Sequence, residues 1–135
     1  MNHFLIDTNV LCEIMRPQPD QHVIEWFKEI KKINISIITV EEILSALMRK
    51  HYLEKAAWFR RFIADYADII PLDTETALWA GEARGRLLSR GITVTQADSF
   101  IAASAWRGGF VLAARNIRDF EHFGIPLFNP FQKVN

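Results

Sequence analysis

Five short apolar runs, separated by longer stretches of helical periodicity, constrain this chain more than any other feature. They are His3 to Ile6, Ile33 to Ile38, Ile69 to Leu72, Phe110 to Ala114 and Leu127 with Phe128. Short apolar runs bounded by turn-forming or helix-capping residues read as strands buried on both faces. The stretches between them carry apolar residues at helical spacing. After the break at Arg16-Pro17-Gln18-Pro19, Asp20 can cap a helix bearing Val23, Ile24, Phe27 and Ile30. Thr39 opens a helix to about Lys50, with Val40, Ile43, Leu44 and Leu47 on one side. Leu53 to Ala67 forms the next, on which Trp58 and Phe62 widen the apolar stripe. Asp73-Thr74 caps a long helix ending near Gly91, and Thr95 to Trp106 forms another that Gly108-Gly109 ends. Strands alternating with helices give a mostly parallel sheet with helices on both faces, the α/β class.

At 135 residues the chain has the length of about one domain, taken as 1–135. Its 16 basic and 16 acidic residues cancel, so any phosphate-binding surface must be local. The lone Cys12 excludes an intramolecular disulfide, and no Cys or His cluster has zinc spacing, which fits a reducing cytoplasm. No apolar run approaches the roughly 18 residues of a membrane span. Within the long helix Ala77, Gly81 and Gly85 lie four apart; an interior Gly costs about 1 kcal/mol relative to Ala, so a closely packed neighbouring helix is expected there.

The first strand ends on Asp7, and in open α/β sheets ligands bind beyond the carboxyl ends of strands. Glu42 follows the second run, Asp98 lies in the first turn of a late helix, and Asp119 follows the run Phe110 to Ala114. Thr39-x-x-Glu42, Thr95-x-x-Asp98 and Asn116-x-x-Asp119 each also fit a capping box. Asp7 fits that explanation less well, because a carboxylate at the end of a buried strand needs a partner. Clustered carboxylates require protons or a cation. An all-oxygen acidic pocket suits Mg²⁺ or, as a substitute, Mn²⁺, which can activate a water and stabilise a phosphate during in-line displacement. Thr8 and Asn9 would orient these carboxylates, with helix capping as the alternative, and Arg115 and Arg118 could hold phosphate, with surface ion pairing as the alternative.

Asp7-Thr8-Asn9-Val10, Thr39-Val40-Glu41-Glu42-Ile43, Gln96 to Ala103 and Ala114 to Phe120 resemble, in order and spacing, the motifs of PIN-domain ribonucleases. The resemblance is nearest to the toxin subunits of bacterial VapBC-type toxin-antitoxin pairs, including the FitB-like branch. Arg16-Pro17-Gln18-Pro19 and Phe128-Asn129-Pro130-Phe131 also match that branch. It implies a parallel sheet of about five strands, a metal site of Asp7, Glu42, Asp98 and Asp119, and Mg²⁺-dependent endonucleolytic cleavage of RNA. It further implies a homodimer and a VapB-like antitoxin that binds operator DNA and lies along the helices near Trp26, Trp58 and Phe62. Ala114 stands where the family often has Thr, and Asn116 where some members place an acid, so Asn116 and Asp119 both remain candidates for the fourth position.

Three other readings compete. A haloacid-dehalogenase-type phosphatase would have a second Asp where Asn9 stands, and a receiver domain would end its second or third apolar strand on a phospho-acceptor Asp. A catalytically silent PIN-like module that binds a partner through its aromatic face would have no need of all four acids.

Overall fold

In a computed structural model, which describes residues 3–132, the strands are β1 (Phe4–Ile6), β2 (Ile33–Ser36), β3 (Ala67–Ile70), β4 (Val111–Ala113) and β5 (Leu127–Phe128). They form one sheet in the order β3-β2-β1-β4-β5, with every neighbouring pair parallel. Parallel neighbours require crossover connections, supplied by α1 (Thr8–Ile14), α2 (Gln21–Glu29), α3 (Ile37–Arg49), α4 (Leu53–Tyr66), α5 (Thr74–Ser89) and α6 (Gln96–Gly108). β1, first in the chain, lies at the centre, paired with β2 on one side and β4 on the other.

Alternation along β1 divides the core in two. Leu5 packs with Leu112 of β4 and with Ala83, Leu87, Ile101, Ala102 and Ala105 of α5 and α6. Ile6 faces the opposite way, toward Val10, Leu11, Val23, Ile43 and Phe59 of α1 to α4. Helices thus cover both faces, as the alternation of runs predicts.

Local chemistry explains most element ends. Asp20 caps α2, accepting from the backbone N–H groups of His22 and Val23 at 2.9 and 3.2 Å. Asp73 caps α5 through the Thr76 N–H at 2.8 Å, and Gly109, at φ 67°, closes α6 in the left-handed conformation that glycine tolerates.

Three expectations need correction. The second run stops being a strand at Ser36, whose hydroxyl accepts from the Ile38 N–H at 3.2 Å and caps α3, so Thr39 is not the cap and the Thr39-x-x-Glu42 box is not formed. β3 begins at Ala67 and ends at Ile70, earlier than the run Ile69 to Leu72. The glycine ridge has no packed neighbour: a Cβ at Gly81 or Gly85 would meet nothing within 4 Å, and α5 turns Ala80, Ala83 and Leu87 to the core instead.

Candidate active site

Asp7 is fixed before its side chain is considered. Its backbone N–H donates to the Ala113 carbonyl at 2.9 Å, and its own carbonyl accepts from the Val10 and Leu11 N–H groups at 3.1 Å each. The residue therefore bridges β4 to the first turn of α1. Its carboxyl group is buried at 4% exposure and makes no capping bond to α1. Burial drives its pKa from 3.8 up to about 7; the backbone N–H groups of Thr8 and Asn9 pull it down, while repulsion by Asp98 and Glu42 adds to the rise.

The other acids arrive from separate elements. Glu42, half-buried, stands in the second turn of α3, beyond the reach of a capping role. Asp98 is in the first turn of α6, where its N–H donates to the Thr95 hydroxyl at 3.0 Å. Its carboxyl pKa is raised, first by burial, then by Asp119, then by Glu42, with the Thr95 hydroxyl opposing. Asp119 ends a 3-10 turn, Ile117–Asp119, and is exposed; Asn116 precedes that turn without capping it, so the third box is also unformed. The repulsions link Asp7 to Glu42 and Asp98, and Asp98 to Glu42 and Asp119. The structure therefore puts Asp7, Glu42 and Asp98 within electrostatic reach of one another, and Asp119 within reach of Asp98.

No cation balances them. Among the described residues, none of the four carboxylates takes part in an ion pair. Nor do any three His, Cys, Asp or Glu side chains among these residues form a group placed to hold a metal ion. The donors are all carboxylate and hydroxyl oxygens, the kind that suits Mg²⁺, an ion that keeps several of its waters and takes only one or two carboxylates directly.

Thr8 is drawn into the site and Asn9 is not. The Thr8 hydroxyl donates to Glu42 Oε1 at 2.7 Å and lies 3.0 Å from the Thr39 hydroxyl. A hydroxyl has one proton, so with that proton on Glu42 the Thr8 oxygen must accept from Thr39. Thr39 is fully buried, and the order Thr39 to Thr8 to Glu42 holds one carboxylate oxygen in place. The sequence reading missed Thr39 as a site residue because it assigned it to the cap; Ser36, an equally good cap three residues earlier, was the available signal. Ser36 also lies 3.2 Å from the Ser104 hydroxyl, tying the end of β2 to α6. Asn9 and Asn116 are exposed and, among the described residues, their side chains make no hydrogen bond.

Arg115 and Arg118 are exposed and form no ion pair among the described residues, so the surface-pairing alternative does not hold for either. The Arg115 guanidinium instead lies 4.6 Å from the Phe131 ring centre, while its carbonyl accepts from Asn129 Nδ2 at 3.1 Å. The aromatic surface divides. Trp26 packs against Phe4 and Phe128 with ring centres 5.2 and 6.0 Å away, beside a cavity of about 890 Å³ that none of the four acids lines. Trp58 stacks on Phe62 at 5.2 Å along α4, and Phe62 continues to Tyr66 at 5.9 Å.

Comparison with known proteins bears on the family. A VapC ribonuclease (Y4jK) of Sinorhizobium fredii is 26% identical over 95% of this chain and 97% of its own length. Toxin FitB of Neisseria gonorrhoeae is 28% identical over 94% of this chain and 97% of its own. Among solved structures, a chain of DNA-bound VapBC from Salmonella typhimurium superposes with a TM-score of 0.84 at 26% identity, covering 96% of this chain and 99% of that one. The family model described as PIN domain matches residues 4–125, a span that holds β1 to β4 and all four acids. The chain belongs to the PIN domain family.

Proposed function

We propose that this chain is a divalent-metal-dependent endoribonuclease, the toxin of a VapBC-type pair. The observation that carries the reading is Asp7: a buried carboxylate with a pKa near 7, beside two further acids and no cation. Such a group disfavours the empty site at neutral pH and favours one holding positive charge. Mg²⁺, or Mn²⁺ in its place, would be held by Asp7, Asp98, Glu42 and Asp119, some of them through water. When bound it supplies charge for the phosphate and lowers the pKa of a water. Thr8, backed by Thr39, keeps Glu42 in a single orientation, and the buried setting of Asp7 excludes bulk water from one side of the site. Arg115 and Arg118, exposed and close to Asp119 in sequence, would hold the substrate phosphate.

The partners follow from the relatives, one of which is named a toxin and one of which is solved as a DNA-bound two-component complex. We assign this chain a VapB-like antitoxin that contacts operator DNA and docks on the α4 stripe of Trp58 and Phe62 and on Trp26, together with a homodimer in the cytoplasm. The competing silent module is favoured by the lack, among the described residues, of a group placed to hold a metal ion. Purified, antitoxin-free protein separates the two. With Mg²⁺ or Mn²⁺ it should cut a total RNA pool, and cleavage should vanish with EDTA and in folded Asp7→Asn and Asp98→Asn variants. No cleavage over varied RNAs, with no ion binding by calorimetry, would leave the binding module.

A further inference from the structure

A groove of about 460 Å³ lies along one face of α3, from Ile38 to Arg49, closed on its other side by the start of α6. Glu42, one of the four acids, and Arg49 both line it, with Ala46 between them on α3 and Gln96 and Phe100 on α6. Glu42 belongs to both the groove and the acid cluster, so the two are continuous. Seven residues of helix separate Glu42 from Arg49, about 10 Å along the axis. Arg49 is the one cation in the lining, is exposed, and forms no ion pair among the described residues. The small side chain of Ala46 leaves the floor open, and Phe100 adds an apolar surface to it.

We propose that this groove is a subsite for the nucleotide next to the scissile phosphate, with Arg49 contacting that neighbouring phosphate and not the one being cut. This rests on the nuclease reading, in which a phosphate sits among the four acids. From there a polynucleotide strand must leave the acid cluster, and this groove offers it a cation one step out. Arg is suited to that contact because its planar fork pairs with two phosphate oxygens. Phe100 and Ala46 give the base an apolar bed, and the Gln96 amide can meet a base edge. Glu41, also in the lining, opposes the strand's charge, which gives the proposal a second prediction of opposite sign.

Binding of a fluorescently labelled single-stranded oligoribonucleotide, measured by anisotropy over a range of salt in an Asp98→Asn background, tests the contact apart from cleavage. Arg49→Gln should weaken binding and lower the slope of log Kd against log salt by about 0.7, the value for one phosphate contact on a single strand. Arg49→Lys should restore the slope, and Glu41→Gln should tighten binding. In the active protein, Arg49→Gln should raise KM and leave kcat nearly unchanged. An Arg49→Gln variant that is folded and keeps the parental slope would overturn the subsite. Cleavage by the parent decides the nuclease reading separately: a parent that cuts RNA while the slope ignores Arg49 overturns the subsite alone. A parent that cuts nothing overturns the nuclease reading, and the slope still decides whether Arg49 meets phosphate.

Discussion

Asp7 is unstable company for its own fold. Its carboxyl is charged above pH 3.8 in an unfolded chain but only above about 7 in the native one, so between those values the native state holds the extra proton. Stability from this residue is complete below pH 4 and is lost as pH rises through 7. For the metal-free protein we expect Asp7→Asn to flatten that dependence and to raise stability near pH 8 by roughly 1–4 kcal/mol, read from urea midpoints at a series of pH values. A second expectation concerns Thr39. Replacing it with Val removes the proton that Thr8 accepts and keeps the shape, so Mn²⁺ affinity should fall several-fold, while Thr39→Ser should recover most of it. Calorimetric titration measures both. The acids themselves were legible as carboxylates following strands or opening helices. Thr39 was not, because its role comes from a neighbour 31 positions away in the chain, with nothing local to announce it.

Element boundaries show where the chain speaks plainly and where it does not. Asp20, Asp73, Thr95 and Gly109 sit at helix ends and act there as their chemistry demands. Ile33 to Ile38 misleads, because an apolar β-branched run suits a strand and the first turn of a buried helix equally, and periodicity cannot separate them over so few residues. Nothing in the sequence marks out Glu13. It is buried, accepting from Arg16 Nη1 at 3.1 Å and from the Asp20 backbone N–H at 2.8 Å, and so holds the turn between α1 and α2. Glu13→Ala strands the Asp20 N–H and leaves a gap, which should lower stability by about 1–3 kcal/mol. Calorimetric unfolding should show the loss while ion binding is retained.

For the whole molecule, ion and fold are linked. A ligand that binds the native site alone stabilises it by about 2.7 kcal/mol at a concentration 100 times Kd. Mg²⁺ should therefore raise the thermal midpoint, more at pH 8 than at pH 6, since the ion competes with the proton on Asp7. Asp7→Asn should abolish most of that increment. The parallel sheet and its two-sided cover were readable because short apolar runs alternate with helical ones. Strand order was not, since hydrophobicity marks a strand as central without naming its neighbours. Nor could composition show that Gly81 and Gly85 would face outward: their spacing describes a surface suited to close approach, and only the fold decides whether anything within the chain approaches.

The central place of β1 also has a consequence in time. During synthesis β1 gains its second neighbour only when Val111–Ala113 has been made, and the carbonyl that pins Asp7 belongs to Ala113. Asp98 and Asp119 are likewise late in translation order. On the proposed function, a nascent chain is harmless to its own message until synthesis has passed Asp119.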